Sequence, residues 1–190
     1  MKKLQGTKTE QNLINAFAGE SQARNRYTIF AKIAKKEGYE QISEIFLDTA
    51  ENEREHAKLF YKYIGNTEGH VDSTYPFELG TTEENLASGV KGETDEWETV
   101  YRQGEDDARE EGFDEIAQTF KLIRTVEEHH AKRYAELLKN IKEDSVFKKE
   151  NEQTWVCRKC GYHTVSKSAP EKCPLCEHPK AYFEIDCEKF

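Results

Sequence analysis

Two short segments of the chain carry a glutamate and a histidine three residues apart. Glu53 and His56 lie in "ENEREH", and Glu127 and His130 lie in "EEHH". On an α-helix, residues three apart project from the same face, so each pair presents one carboxylate and one imidazole together. Carboxylate oxygen combined with imidazole nitrogen suits iron or manganese. The two pairs therefore indicate a transition-metal site.

A second group of metal-ligating side chains lies near the end of the chain. Four of the five cysteines form two Cys-x-x-Cys pairs separated by twelve residues: Cys157, Cys160, Cys173 and Cys176. Each pair is typical of a knuckle that clasps a metal, and four thiolates in a tetrahedron suit zinc or iron. Spacing alone leaves a structural zinc ribbon and an iron centre as equal alternatives. Cys187 lacks a paired cysteine, and we expect it to bind no metal.

Composition excludes several classes of partner. The 190 residues carry a formal net charge of −9, which disfavours binding to nucleic acid or to an anionic membrane surface. No apolar run approaches the roughly 20 residues of a membrane span, and the N-terminal segment lacks the apolar stretch of a signal peptide. We therefore expect a cytoplasmic protein whose paired cysteines bind metal rather than form disulfides.

The glutamates and histidines fall within four predicted helices. These helices span about residues 7–38, 39–64, 81–112 and 113–143. Thr7 with Glu10 and Thr81 with Glu84 have the spacing of capping boxes, which mark the starts of the first and third helices. Gly38 and Gly112 lie where the first and third helices are expected to end.

The connections between the helices predict the topology. The first and second helices are joined almost directly, as are the third and fourth, whereas Gly65–Thr81 is too long for a tight turn. Four helices with one long crossover form the ferritin-like bundle. We predict an all-α bundle over residues 1–145, a polar linker over 146–153, and a small β-rich domain with metal knuckles over 154–190. Alternating apolar residues in "TWVC" and "AYFEI" predict short strands in that domain.

Spacings of three and four residues predict which side of each helix faces the core. On the first, second and fourth helices the core positions are Leu13, Ala16, Glu20, Ala23, Tyr27, Phe30 and Ala34; Ile42, Phe46, Thr49, Glu53, His56, Phe60 and Tyr63; and Ile116, Phe120, Ile123, Glu127, His130, Tyr134, Leu137 and Ile141. On the less regular third helix they are Leu86, Val90, Glu93, Glu96 or Trp97, and Val100. Each set is apolar at its ends and polar in its middle.

The polar middle positions would meet at one level of the bundle. They comprise five carboxylates and two imidazoles: Glu20, Glu53, Glu93, Glu96, Glu127, His56 and His130. Burying even one unpaired carboxylate is costly, and the predicted core positions supply little basic compensation. Two metal ions would supply the missing positive charge, and the two Glu-x-x-His pairs with Glu20 and Glu93 complete the ligand set of a di-iron carboxylate bundle.

Glu96 is then a surplus carboxylate. It lies three residues beyond Glu93 in "KGETDEWETVY", so both side chains can face the metals. Glu96 is either a spectator or a competitor of His56 for one iron. Competition would let that iron change ligands when its charge changes, because an anionic ligand favours the ferric ion.

Several segments resemble the rubrerythrin family over essentially the whole chain. They are "AFAGESQARNRY", "ENEREHAK", "GETDEWE", "EEHHAKRY" and "CRKCGY…CPLCEHPKAYFE", the last of which resembles a rubredoxin. The loop between the knuckles is shorter than in a free-standing rubredoxin, and Glu177 stands where a glycine is usual. The resemblance implies a non-haem di-iron peroxidase of oxidative-stress defence, which reduces hydrogen peroxide to water with electrons relayed through an Fe(Cys)4 centre.

The resemblance also implies a role for each residue. Glu53 and Glu127 would bridge two irons, one of which adds Glu20 with Glu96 when oxidised or His56 when reduced. The other iron would add Glu93 and His130, while Cys157, Cys160, Cys173 and Cys176 would bind a third iron. Tyr27 and Tyr101 would hydrogen-bond ligand carboxylates; simple core packing is the alternative for Tyr27. Zinc and manganese are alternative occupants of either site.

Implied partners are a second copy of the chain and an electron donor. The family forms head-to-tail dimers, in which the cysteine domain of one subunit serves the bundle of the other, and larger assemblies remain open. The donor would be an NAD(P)H-dependent reductase, acting directly or through a rubredoxin. Two rival functions remain: a ferroxidase or iron-storage protein, and a non-enzymatic binding module with a structural zinc ribbon.

Overall fold

The structure is a computed structural model that describes residues 3–187. Its helices are α1 (Lys8–Lys36), α2 (Glu40–Ile64), α3 (Thr82–Asp95), a π-helical segment (Glu96–Val100), α4 (Tyr101–Glu110) and α5 (Asp114–Lys142). Because α3, the π segment and α4 follow one another without a break, they form the third helix of a four-helix bundle. The predicted bundle with one long crossover is confirmed. No helix in the described part of the chain is long and apolar enough to cross a membrane.

The capping residues define where two of the helices begin. The Thr7 hydroxyl accepts a hydrogen bond from the Glu10 N–H at 3.1 Å, but the Glu10 carboxylate accepts from Gly6 N–H rather than from Thr7. The predicted box at α1 is therefore only half formed. At α3 both bonds of the box between Thr81 and Glu84 are present. These bonds satisfy N–H groups that a helix start leaves without partners.

The predicted core positions on α1, α2 and α5 are buried, apart from three aromatic or aliphatic residues near helix ends. Tyr63, Leu137 and Ile141 are half-buried. On the third helix the prediction for Val100 is wrong, because 46% of its surface is exposed whereas only 1% of Tyr101 is exposed. The π segment adds a residue to the helical turn, which advances the buried face by one position.

The crossover, residues 65–81, lies along α1. The Asn15 side chain donates a hydrogen bond to the Asp72 carbonyl and accepts one from the Asp72 N–H, both at 2.9 Å. The Tyr75 hydroxyl donates to the Asn15 carbonyl at 2.7 Å. These bonds fix the crossover against the bundle at the end of a cavity described below.

The C-terminal domain contains a three-stranded antiparallel sheet with the strand order β2–β1–β3. The strands are β1 (Lys148–Cys157), β2 (His163–Ser168) and β3 (Phe183–Ile185). Trp155 and Phe183 pack with the buried cysteines to form its core. The strands in "TWVC" and "AYFEI" are confirmed, although Ala181 and Tyr182 belong to a 3-10 turn. Strand β2 escaped prediction because its sequence, "HTVSKS", is largely polar and exposed.

The segment 146–153, predicted as a linker, departs from that expectation. Strand β1 already begins at Lys148, which pairs with Ser168, and a bulge separates this pair from the one at Gln153. Backbone pairing with β2 orders the segment without help from apolar side chains. Just before the strand, the Phe147 ring stacks on Tyr39 with the ring centroids 6.1 Å apart. The domain thereby packs on the bundle at the start of α2.

Candidate metal centres

Six buried side chains from four helices meet in the middle of the bundle, and we call them the carboxylate site. They are Glu20 from α1, Glu53 and His56 from α2, Glu93 from α3, and Glu127 and His130 from α5. Their ligand atoms form two groups, each within 4.8 Å: Glu20, Glu53, His56 and Glu127, and Glu53, Glu93, Glu127 and His130. Glu53 and Glu127 belong to both groups and so lie between two possible metal positions.

Each imidazole turns its Nδ1 atom toward three carboxylates. For His56, Nδ1 lies 3.0 Å from oxygens of both Glu53 and Glu127 and 3.5 Å from Glu20. For His130, Nδ1 lies 2.8 Å from Glu127 and 3.4 Å from oxygens of both Glu53 and Glu93. The two arrangements are alike, as expected when two equivalent Glu-x-x-His pairs face each other across a bundle.

The donor atoms of the carboxylate site fit metal ions. Within residues 3–187, Glu53 and Glu127 have no hydrogen-bond partner on either carboxylate oxygen, and Nδ1 of each histidine also lacks one. Burial, followed by the charges of Glu127 and Glu93, raises the pKa of Glu53 well above its ordinary value. Burial also raises the pKa of Glu93, to about 7. Such a group of oxygens and nitrogens is stable when cations bind between them, as carboxylate–imidazole sets bind iron.

Three neighbouring side chains orient the candidate ligands. Tyr101 donates its hydroxyl hydrogen to Glu20 at 2.6 Å, and Tyr27 donates its own to Glu93. Burial, followed by the adjacent glutamate charge, raises the pKa of each phenol well above its ordinary value, so both remain donors.

Nε2 of His130 lies 3.1 Å from the Asn52 side-chain oxygen. A hydrogen bond there leaves Nδ1 free to bind metal. Asn52 gave no signal in the sequence because it falls outside the predicted core spacing.

Glu96 stands apart from the two groups of ligand atoms. It begins the π segment, is half-buried, and lines a cavity of about 380 Å³ together with Tyr101 and Arg26. Burial, followed by the charges of Glu93 and Glu20, raises its pKa well above the ordinary value. The structure therefore has His56 beside Glu20, with Glu96 outside both groups of ligand atoms. The exchange of these two ligands stays a prediction.

The four paired cysteines form a second site, which we call the cysteine site. Sγ of Cys157 lies 3.7 Å from that of Cys176, and Sγ of Cys160 lies 3.6 Å from that of Cys173. A tetrahedron of sulfurs about 2.3 Å from a central ion has edges of about 3.8 Å, so the four thiols fit one metal ion. Cys187 is exposed and lies outside this group.

The two knuckles differ in the residue after their second cysteine. Gly161 follows Cys160 with φ of 76°, and Glu177 follows Cys176 with φ of 63°. Both angles lie in the left-handed region, where glycine is favoured and glutamate is strained. The second knuckle also lowers the pKa of the Cys173 thiol. Burial alone would raise this pKa, but hydrogen bonds from the N–H groups of Cys176 and Leu175 bring it down to about 7.

Comparisons with known proteins agree with both sites. The family model described as rubrerythrin matches residues 11–138, and the one described as the rubrerythrin rubredoxin-like domain matches residues 155–184. Rubrerythrin-1 of Clostridium acetobutylicum is 53% identical, with both chains covered completely. Rubrerythrin of Nitratidesulfovibrio vulgaris is 46% identical over 97% of each chain.

Solved structures extend the likeness to the fold. A partially reduced nigerythrin is 34% identical over 97% of this chain and 89% of its own, with a TM-score of 0.65. A bacterioferritin of Rhodobacter capsulatus, 22% identical over 72% of this chain and 86% of its own with a TM-score of 0.65, shares the bundle fold. The chain belongs to the rubrerythrin family, and its carboxylate–histidine and four-cysteine sites match the three-iron arrangement of that family.

Proposed function

We propose that the protein is a non-haem di-iron peroxidase that reduces hydrogen peroxide to water with electrons relayed through an Fe(Cys)4 centre. The observation that carries this proposal is the presence in one chain of a carboxylate site with a surplus glutamate beside it and a separate cysteine site. The first can change ligands as its metals change charge. The second is filled by four thiolates and suits electron transfer.

At the carboxylate site, each ligand has a role supported by its position. Glu53 and Glu127 would hold both metal ions, because both belong to both groups of ligand atoms. Glu20 with His56 or Glu96 completes one position, and Glu93 with His130 completes the other. Two ferrous ions held by these residues would supply the two electrons needed to cleave the O–O bond of one peroxide, and holding them close would avoid a one-electron step.

Residues around the carboxylate site keep its ligands oriented while the metal ions change charge. Tyr101 and Tyr27 hold one oxygen each of Glu20 and Glu93, which leaves the other oxygen directed at the metal position. The aromatic side chains above and below the site, including Phe60 and Phe120 on one side and Phe46 on the other, exclude bulk water. The overall reaction takes up two electrons and two protons for each peroxide.

The position of the cysteine domain favours electron transfer between subunits. The domain contacts the first part of α2, where Phe147 stacks on Tyr39 and Arg158, next to Cys157, lies 3.7 Å from Glu44. Glu53 lies nine residues beyond Glu44, about 14 Å further along the helix axis. A head-to-tail dimer would place the cysteine domain of the partner beside the middle of these helices. The electrons would come from an NAD(P)H-dependent reductase, directly or through a rubredoxin. The cytoplasmic location stays a prediction.

Rapid mixing distinguishes this function from ferroxidase or iron-storage activity, which would use the same bundle. The iron-loaded protein is fully reduced without oxygen and then mixed with hydrogen peroxide or with dissolved oxygen at equal concentration. We expect peroxide to reoxidise the carboxylate site much faster than oxygen, without formation of an iron mineral. Faster reoxidation by oxygen, with mineral accumulating, would contradict the proposal.

A further inference from the structure

Arg26 is a buried cation for which the sequence predicts no anionic partner. It precedes Tyr27 on α1, and only 8% of its surface is exposed. Its Cζ lies 5.4 Å from the centroid of the Tyr27 ring and 5.9 Å from that of Phe30. Nε and Nη1, however, have no hydrogen-bond partner in the described part of the chain. Buried N–H groups on a charged side chain are costly to leave unpaired, so the geometry calls for an anion.

Arg26 and Glu96 line the same cavity. A Cβ atom on Gly92 would lie 3.2 Å from Nη2 of Arg26, so the guanidinium lies against α3 at a point where there is no side chain. Glu96 follows Gly92 by four residues, about one helical turn, and lies on the same face. The absence of a side chain at Gly92 lets the guanidinium approach α3 about one turn before Glu96.

Other carboxylates are less suited to pair with Arg26. Glu20 and Glu93 are each held by a tyrosine hydroxyl and belong to the ligand groups. Glu78 and Asp95 also line the cavity, but both are exposed and are already solvated. Glu96 is half-buried, lies outside both ligand groups, and has to be accommodated whenever it is not a ligand.

We propose that Arg26 is a positioning residue that binds the Glu96 carboxylate when the iron-loaded site is reduced and His56 is its ligand beside Glu20. The inference rests on the proposed exchange between His56 and Glu96 and adds the site that receives the displaced carboxylate. A charge-assisted pair there stabilises the arrangement in which Glu96 is away from the metals, which is the reduced one. Without Arg26, Glu96 would favour the metals, and the oxidised centre would gain stability relative to the reduced one.

An equilibrium redox titration of the carboxylate site tests this inference without peroxide. The protein is iron-loaded wild type, Arg26→Gln, Glu96→Ala and the double variant, with Lys91→Gln as a control that removes an exposed positive charge from the same cavity. We expect Arg26→Gln to lower the midpoint potential, with about a tenfold change in the ratio of oxidised to reduced centre, which is about 30 mV for a two-electron couple. In the Glu96→Ala background the same change should shift the potential no more than Lys91→Gln does.

Equal shifts in both backgrounds would overturn the inference, because Arg26 would then act only as a distant charge. No shift in either background would overturn it as well. Arg26→Lys keeps the charge and should retain part of the effect, which guards against a variant that is merely misfolded. A crystal structure of the reduced iron-loaded wild type should place a Glu96 oxygen within hydrogen-bond distance of Arg26, and Glu96 directed into solvent would contradict this.

The outcome is separable from that of the peroxidase proposal. If peroxide fails to reoxidise the reduced wild-type protein quickly, the proposed function fails, whatever the titration gives. If peroxide reacts quickly but the shifts are equal in both backgrounds, only the role of Arg26 fails.

Discussion

The carboxylate site draws its side chains from four helices, whereas the cysteine site draws its four thiolates from two short knuckles. In the bundle, six candidate ligands surround two possible metal positions, and a seventh, Glu96, lines an adjoining cavity. In the C-terminal domain four sulfurs surround one position, with no further described ligand beside them. The first site has a further carboxylate nearby that could replace one of its ligands, whereas the described residues offer no such group at the second. In the proposed function, this difference assigns the reaction with substrate to the carboxylate site and electron transfer to the cysteine site.

The backbone beside the carboxylate site also differs from the backbone beside the cysteine site. Beside the carboxylate site the third helix passes into a π segment at Glu96, where the Tyr101 N–H bonds to the Glu96 carbonyl. Such segments are frequent at functional sites, because the additional residue redirects side chains that a regular helix would leave in line. At the cysteine site the strain lies instead at Glu177, which the tight knuckle forces into the left-handed region. The bundle site therefore has a widened helical turn beside it, whereas the cysteine site has a single left-handed residue.

The largest effect should follow from breaking the cysteine site alone. Cys173→Ser removes one of the four thiolates, so turnover with an external reductant should fall by about 100-fold or more. Oxidation of a chemically pre-reduced carboxylate site by peroxide should continue in a single turnover. Steady-state and stopped-flow rates measure the two effects, with Cys187→Ser as the control. Loss of the single turnover would show that the cysteine domain takes a direct part in the reaction with peroxide.

A change of Glu96 tests whether the carboxylate site needs its surplus ligand. Glu96→Ala should leave two irons bound there, because six candidate ligands remain, but it should slow peroxide turnover by about 10–100-fold. Glu98→Ala, an exposed glutamate on the same π segment, is the control. Iron analysis and steady-state kinetics make the measurement. Unchanged turnover in Glu96→Ala would make Glu96 a spectator.

Removing one phenol tests how far the carboxylate site depends on its surroundings. Tyr101→Phe deletes the hydrogen bond to Glu20 and keeps the ring that packs on Phe60 and Phe120. We expect iron affinity at the position beside Glu20 to fall about tenfold, because an unheld carboxylate loses its orientation. A competitive chelator titration measures it, with the exposed Tyr61→Phe as control. Equal affinities in the two variants would reduce Tyr101 to a packing residue.

The smallest effect concerns stability at the cysteine site. Glu177→Gly relieves a left-handed backbone and should stabilise the C-terminal domain by about 0.5–1 kcal/mol, less than the full strain because glycine gains freedom in the unfolded chain. Gly161→Ala, at the equivalent position of the other knuckle, should destabilise it by a similar amount. Denaturant unfolding followed by fluorescence reports both changes when Trp97 in the bundle is replaced by Phe in every variant, since Trp155 then remains as the tryptophan in the core of that domain. A loss of stability in Glu177→Gly would mean that its side chain outweighs the strain.

Much of the fold and both candidate sites followed from spacing in the sequence. Helical periodicity predicted that Glu20, Glu53 and Glu127 lie at the same height in the bundle core. The prediction is reliable for long helices, because their regular apolar spacing determines which face is buried. The cysteine spacing was informative on its own, since a knuckle is a local structure. The π segment was not predicted, because it has no periodic signature in the sequence. Regular helical spacing across it therefore assigned Val100 to the core, although Val100 is exposed.

Other features depend on tertiary contacts that no local pattern encodes. Arg26 lies beside the predicted core position Tyr27, and only packing against Gly92 reveals that its charge is buried. The polar segment from Lys148 resembled a linker, because backbone pairing rather than side-chain burial makes it a strand. The position of Glu96 away from the ligand groups likewise follows from the structure, since its spacing allowed either orientation.

The order in which the two sites are oxidised tests the account most directly. A fully reduced, iron-loaded protein is mixed without oxygen with less than one equivalent of peroxide, and both sites are followed by absorbance. We expect the carboxylate site to be oxidised first and the red colour of the cysteine site to develop afterwards, as its electron passes to the bundle. In Glu127→Ala, which lacks a candidate bridging ligand, the red colour should develop much more slowly. Equal rates of colour formation in the two proteins would contradict the division of roles between the sites.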